Sequence, residues 1–336
     1  MKILFLSPIN HNGKFDDFKF GYRPIMSWIT ALDAIHWNYN DIDSIDNNSR
    51  FDVAIISVLN SISDINIDTF FNKTFNKLKK IADKIVIQQE SYHRSIIHDC
   101  LHTKRNICDL HIFYKFYENC DAILTHNQID NLYYEGLFNK PCYVHPQLLI
   151  DDDLLKKTEE NDNVNYEDLS NKQVTFILSI DISLSDKSGG MDAYMLLKNL
   201  DYPIYTFSGN KPYNFKNLYS FDPNYDYLKF NEKISNFKIA ISIPLLPIGG
   251  SFPLHCAMKN VPCVGWNAST PLFDCFPDLT AEYPNFKTLK NIINKLINDK
   301  NFYIECTKKG RKNFIEKYSA EKYINNMNVI LNEILK

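Results

Sequence analysis

The stretch Phe237–Trp266 reads FKIAISIPLLPIGGSFPLHCAMKNVPCVGW, and the order of residue types in it decides the fold. Ile239 to Leu246 is an apolar run of strand length, rich in isoleucine. Gly249 and Gly250 follow and free the backbone for a tight turn. Ser251 then stands as the N-cap of a helix from about Phe252 to Lys259. A second apolar run, Val261 to Trp266, comes next. Strand, glycine turn, helix and strand make one α/β unit. The start of its helix directs free N–H groups, and the positive end of the helix dipole, at whatever lies above the turn. A diphosphate suits that place; an ordinary βα turn with nothing bound is the competing reading.

Working outward, the N-terminal half repeats the alternation. Lys2–Ser7, Asp52–Ser57, Lys84–Ile87, Asp121–Thr125 and Cys142–Val144 read as short strands. Between them, Ile25, Trp28, Ile29, Leu32 and Ile35 recur at helical spacing behind Pro24, and Phe70–Ala82 is amphipathic. The segment up to Tyr117 also reads as helix. Strands alternating with helices imply a parallel sheet, whose ligands collect beyond the carboxyl ends of the strands. Glu90, His126 and the long loop Pro8–Arg23 all fall there.

Residues 151–172, DDDLLKKTEENDNVNYEDLSNK, are almost wholly polar and read as a linker. Beyond it the pattern restarts, with strands at Gln173–Ile180 and Pro203–Phe207 and a helix at Met191–Asn199. The last third reads as helices at Lys287–Ile297, Phe302–Tyr318 and Ala320–Leu335. The expected organisation is an α/β N-terminal domain over 1–150, the linker, a second α/β domain over 173–318, and a final helix over 319–336. A cleft between the two halves is the expected place for chemistry.

Composition sets the outer bounds. A chain of 336 residues accommodates two domains, and 45% hydrophobic with 23% charged residues is a soluble globular balance. No apolar run approaches the ~20 residues of a membrane-spanning helix. The opening MKILFLSPIN reads as a strand and not as a secretory leader. Eight cysteines without a CxxC pair fit free thiols in a reducing compartment, so a cytoplasmic protein is expected. A net charge of -3 offers no general grip on a nucleic-acid backbone, though a local patch remains open.

With these residues in view, the chain resembles the GT-B glycosyltransferases over nearly its whole length. The piece CDAILTHNQIDNLYYEGLFNKPCYVHPQ resembles the end of that fold's acceptor domain. Val174–Leu197, with Lys187 ahead of Gly189, is similar to its opening strand–loop–helix of the donor domain. GGSFPLHCAMKNVPCVG is similar to the signature EGFGLxxxEAMAxGxPVV, and KKGRKNFIEKYSAEKYINNMNVIL resembles the closing helices. The resemblance implies an α/β GT-B fold of two Rossmann-like domains with parallel sheets. It implies a nucleotide-sugar donor, UDP-sugar foremost, with no metal and no other cofactor. Lys187, Gly189, Gly249, Gly250, Ser251 and His255 are the expected donor contacts, joined by Ser208 at a strand end and Tyr225 in an aromatic loop where the nucleobase would lie. Phe221 and Tyr227 are further candidates for stacking on that base. The signature departs at its two glutamates: Cys256 stands at the second, and Ile248 or a glycine at the first. The stereochemical outcome therefore stays open.

Sugar transfer requires a stabilised leaving group, an acceptor hydroxyl that loses its proton, and exclusion of water. Glu90 is the candidate base, with Gln88, Gln89 and His93 as polar neighbours; a surface glutamate capping the next helix is its alternative. His126 is the second candidate, because imidazole titrates near neutrality, against a structural hydrogen-bonded histidine. Gly21, Tyr22, Arg23 and His93 are the expected acceptor contacts. The acceptor is expected to be a saccharide, with a hydroxymethylated DNA base as alternative; a basic stripe of Lys14, Lys19, Arg23, Arg94, Lys104 and Arg105 would favour DNA. An epimerase of the same architecture and a nucleotide-sugar binder without turnover complete the set. Two motifs are set aside: Asp151–Asp153 as a solvated acidic run, and His98 with His102, which lack a second pair of metal ligands.

Overall fold

A computed structural model describes residues 1–14, 24–58, 67–89, 108–146, 148, 164–179, 189–207, 215–221, 233–244 and 251–336. The chain divides into two compact units, one of Met1–Leu148 with Ala320–Lys336 and one of Leu149–Ser319.

The first unit carries β1 (Ile3–Ser7), α1 (Pro24–Ala31), β2 (Ile35–Asn38), β3 (Phe51–Val58), α2 (Ile67–Ile81), β4 (Ala82–Gln89), α3 (Cys108–Asn119), β5 (Ala122–Thr125), α4 (Gln128–Phe138) and β6 (Cys142–Val144). Its six strands lie in the order β2-β1-β3-β4-β5-β6, and every pairing is parallel. Side chains alternate between the two faces, so each strand needs apolar residues on both. Leu4, Leu6, Ile56, Ile87 and Ile123 pack on the face covered by α2 and α3. Phe5, Ile55, Val86 and Leu124 pack on the other, against Trp28 and Ile29 of α1. That second face is completed by Tyr323, Met327 and Leu331 of the final helix, Ala320–Leu335.

Ile35 departs from its expected place at the end of a helix. It opens β2, because Asp33 turns the chain at φ 48° and Leu4 claims Ile35 as its parallel partner. Gly13 seals the edge: its N–H donates to the His36 carbonyl at 2.7 Å, and the His36 N–H donates back at 2.9 Å. Sheet pairing outweighs helical spacing here.

The second unit carries α5 (Tyr166–Asn171), β7 (Phe176–Leu178), α6 (Gly190–Leu197), β8 (Ile204–Phe207), β9 (Leu218–Phe221), β10 (Ile239–Ser242), α7 (Phe252–Met258), β11 (Cys263–Trp266), α8 (Thr270–Cys275), β12 (Thr280–Ala281), α9 (Phe286–Asn298) and α10 (Lys300–Tyr318). The final helix, α11 (Ala320–Leu335), belongs to the first unit. The six parallel strands run β12-β11-β10-β7-β8-β9. The chain thus starts at the centre, builds to one edge, returns beside its first strand and builds to the other. That is the doubly wound order of dinucleotide-binding sheets.

Two elements differ from expectation. Part of the polar stretch 151–172 is helical: Asn165 caps α5, its side-chain oxygen accepting from Glu167 N at 3.2 Å. Lys238 ties this helix to the sheet, donating from its buried Nζ to Ser170 O at 2.8 Å. Phe221, a candidate for stacking on a nucleobase, instead lies in β9 with its ring stacked on Tyr205 at 5.1 Å.

Candidate functional site

Doubly wound sheets bind ligands beyond the strand ends at the point where the strand order reverses. In the second unit that point lies between β7 and β10. Gly189 sits there. It has φ +63°, and a Cβ on it would meet the carbonyl oxygen of Ile243, just past β10, at 2.0 Å. Only glycine allows this contact, and through it the start of α6 packs on the exit of β10. Gly189 is also the N-cap of α6, so that helix begins at the reversal point.

On the other side of the crevice, α7 begins behind Ser251. Ser251 differs from its expected role: at φ -73° and ψ -13° it is already helical, and its side chain makes no capping bond. His255 is buried in the same helix, and burial, with the charge of Lys259, pushes its pKa down to about 3. It is a neutral imidazole inside the unit.

In the first unit the strand ends carry a row of buried polar side chains on the face shared with α1 and α11. Ser57 Oγ donates to Gln88 Oε1 at 2.7 Å. The Gln88 amide nitrogen is then the donor to His126 Nε2 at 3.1 Å, which puts the ring proton on Nδ1. Burial pushes the pKa of His126 down to about 4, so this imidazole is a weak proton acceptor held neutral. The Trp28 ring lies 5.5 Å from His126 and edge-on to His145 at 4.5 Å. His145 Nε2 lies 3.1 Å from the Tyr323 hydroxyl, and burial lowers its pKa well below the usual range. His145 Nδ1 and Trp28 Nε1 are buried without a hydrogen-bond partner among the described residues.

On the opposite face Gln89 Oε1 accepts from the Tyr117 hydroxyl, and the Tyr117 ring stacks on Tyr134 at 4.7 Å. Beside the end of β1, His36 Nε2 lies 2.7 Å from Ser7 Oγ. Asn38 holds the following loop through the carbonyls of Pro8 at 3.3 Å and Ile9 at 3.1 Å. The first part of that loop is therefore fixed by backbone and amide bonds.

Of the residues singled out in the sequence, Gln88, Gln89, His126, Gly189, Phe221, Ser251, His255 and Cys256 lie among the described residues. Glu90, His93, Lys187, Ser208, Tyr225, Gly249, Gly250, Gly21, Tyr22 and Arg23 lie outside them. So do Asp151–Asp153, His98 and His102. Within the basic stripe, Lys14 is described, and its Nζ pairs with Asp33 at 2.6 Å. Sequence reasoning missed Ser57, His145, Trp28, Tyr117 and Tyr323 as partners in the two polar clusters. A signal was present: the runs FDVAIIS, KIVIQQ, AILTH and CYVH each end in polar residues.

No group of three or more His, Cys, Asp or Glu side chains among the described residues is placed to share a metal ion. No described helix is long and apolar enough to cross a membrane. No protein-family model matches the chain, and no curated protein matches it in sequence. The fold, however, is similar to those of solved glycosyltransferases. Sucrose-phosphate synthase from Thermosynechococcus elongatus superposes with a TM-score of 0.67 at 8% identity, over 99% of this chain and 98% of that one. A trehalose-6-phosphate synthase gives a TM-score of 0.66 at 8% identity, over 99% of each chain. TarM of S. aureus, solved with fondaparinux, alpha-GlcNAc-glycerol and UDP, gives 0.54 at 14% identity, over 88% of this chain and 58% of that one. At these identities the likeness is one of fold, and the chain has the α/β GT-B fold of the glycosyltransferases.

Proposed function

We propose that the protein is a glycosyltransferase that moves a sugar from a UDP-sugar to a hydroxyl of a saccharide or sugar phosphate. The observation that carries this reading is the reversal point of the second unit, where Gly189 is pressed on the Ile243 carbonyl and α6 begins. A helix start at such a crevice suits the diphosphate of a donor. Lys187 then supplies charge to the leaving diphosphate, and Gly249, Gly250 and Ser251 supply backbone N–H groups from the loop ahead of α7. Ser208 and Tyr225 flank the nucleoside. The nature of the similar proteins supports the substrate classes: synthases of sugar phosphates, and one solved with UDP.

For the acceptor, Glu90 is the base in this reading, since it follows β4 directly, whereas His126 is buried with its Nε2 already bonded to Gln88. Gly21, Tyr22, Arg23 and His93 are the proposed acceptor contacts. No described feature favours a DNA base.

A thermal-shift series with UDP, GDP, ADP and their sugars tests the donor half. A ligand bound only to the native state stabilises it by RT ln(1 + [L]/Kd), so UDP at about 100 times its Kd adds about 2.7 kcal/mol. A rise in Tm with UDP is expected. A folded sample that responds to none of the nucleotides overturns the reading.

A further inference from the structure

A surface helix is ordinarily polar on the side that faces water. α4 is apolar on both sides. Its inner side packs on the first sheet through Tyr134, which is buried and stacks on Tyr117 at 4.7 Å. Its outer side carries Ile129, Leu132 and Leu137, which are 50%, 62% and 51% exposed. Three of the ten exposed large hydrophobic side chains among the described residues thus sit on one helix of 11 residues, so the exposure is concentrated and not scattered. Ile129, Leu132 and Gly136 follow at i, i+3 and i+7 and form one row along the outer surface. Gly136 is a notch in that row, since a Cβ added to it would meet nothing within 4 Å. Glycine weakens a helix relative to alanine, and neither a positive φ nor a close neighbour in this chain requires it here.

We propose that the outer side of α4 is the contact of a two-fold dimer of this chain, with α4 antiparallel to its copy and Ile129 seated in the notch at Gly136 of the other copy. The row fits itself in that register. Ile129 and Gly136 stand two helical turns apart, so a two-fold axis midway between them, beside Leu132 and Tyr133, brings each isoleucine over the other copy's glycine at once. Charge points to the same occupant. Between Asp121 and Lys140 the only acidic side chains are Asp130 and Glu135, and there is no lysine or arginine. Asp130 is buried, and Glu135 is turned about 100° around the helix from Gly136, so no charge opposes the copy. An anionic bilayer would instead require cations around the patch. Area sets the strength. The three half-exposed side chains offer about 300 Å² of apolar surface per copy, a size at which the largest patch on a monomer is often functional. That is the apolar centre of a contact smaller than the ~800 Å² per partner of standard complexes, so the dimer is weak, with a Kd of about 1–100 μM. It needs neither donor nor acceptor.

The test is sedimentation equilibrium of the full chain from about 1 to 300 μM, a span that brackets a weak dimer, with Tm read alongside. A monomer–dimer equilibrium is expected for the wild type. Leu132→Glu sets two carboxylates beside the axis and is expected to weaken association about 10-fold or more. Gly136→Gln fills the notch with an uncharged side chain that favours the helix, so the dimer is expected to weaken about 10-fold or more while Tm stays level or rises. That combination excludes misfolding as the cause. Val329→Glu, at an equally exposed apolar position on α11, is the control and is expected to leave Kd within about two-fold. A wild type that stays monomeric throughout overturns the proposal, and binding of that monomer to phosphatidylcholine vesicles, lost in Leu132→Glu, would assign the face to a bilayer. A dimer indifferent to folded Leu132→Glu or Gly136→Gln, or one that Val329→Glu weakens as much, overturns it as well.

Discussion

The Tyr323 hydroxyl lies 3.1 Å from Nε2 of His145, joining two buried residues that are 178 positions apart in sequence. His145 stands three residues before the end of the first segment of the N-terminal unit, and Tyr323 three residues after the chain re-enters it at Ala320. The bond therefore ties the exit of the sheet to the returning helix inside one core. Tyr323→Phe keeps the ring and leaves a buried imidazole nitrogen unpaired, a loss of about 1–3 kcal/mol. A lowered urea midpoint with an unchanged slope is the expected result, and an unchanged midpoint refutes the assigned role.

Gly189→Ala adds a methyl group where the Ile243 carbonyl oxygen would stand 2.0 Å away, in a backbone region that L-residues rarely adopt. Strain at such a position costs about 1–3 kcal/mol, and relieving it would open the turn at the reversal point. Loss of stability is expected together with a weaker UDP response in the thermal-shift series. Preserved UDP affinity in a destabilised variant would separate the glycine from the donor site.

Acid should destabilise the protein through its buried imidazoles. Burial holds His36 and His126 at about 4 and His255 at about 3. An unfolded histidine titrates near 6.5, so between that value and the lowered one the unfolded chain binds more protons than the folded one. Stability is thus fully present above about pH 6.5 and falls as the pH drops toward 4, by up to about 1.4 kcal/mol per pH unit for each histidine. Urea midpoints at pH 7, 6 and 5 measure this directly. A flat series would mean that the imidazoles are charged or exposed in the native state.

Lys187→Ala and Glu90→Gln separate the two halves of the proposed reaction. Removing the lysine is expected to weaken UDP binding about 10- to 150-fold with Tm of the free protein unchanged, because a charge contact to a diphosphate contributes on the order of 1.5–3 kcal/mol. Removing the carboxylate is expected to lower kcat about 100- to 10,000-fold with UDP affinity intact. Isothermal titration and initial rates tell the two apart. Equal losses of affinity in both variants would contradict the assignment of roles.

The parallel sheets were legible because each central strand carries its own apolar run, as in AILT, IAIS and CVGW. The edge strands were harder. IHWN forms β2 only because Leu4 and Gly13 offer it partners, and Phe221, expected in an aromatic loop, is strand because Phe207 of β8 stands beside it. Asn165 hides a helix start in a polar stretch, because capping is a property of one side chain and composition is averaged over many. At the candidate site the polar strand ends were readable one by one. Their bonds were not: Ser57 reaches Gln88 across 31 positions and Gln88 reaches His126 across 38, distances over which spacing carries no information.

The N-terminal unit borrows α11 from the far end of the chain, and this has a consequence for synthesis. One face of the first sheet, with Phe5, Ile55 and Trp28, has no cover from Tyr323, Met327 and Leu331 until the whole of the second unit has been translated. The second unit is continuous in sequence and is free to mature as soon as Ser319 has left the ribosome. The unit made first is therefore the one completed last, and a nascent or prematurely ended chain would present the part of that face that α11 covers to chaperones and to other chains.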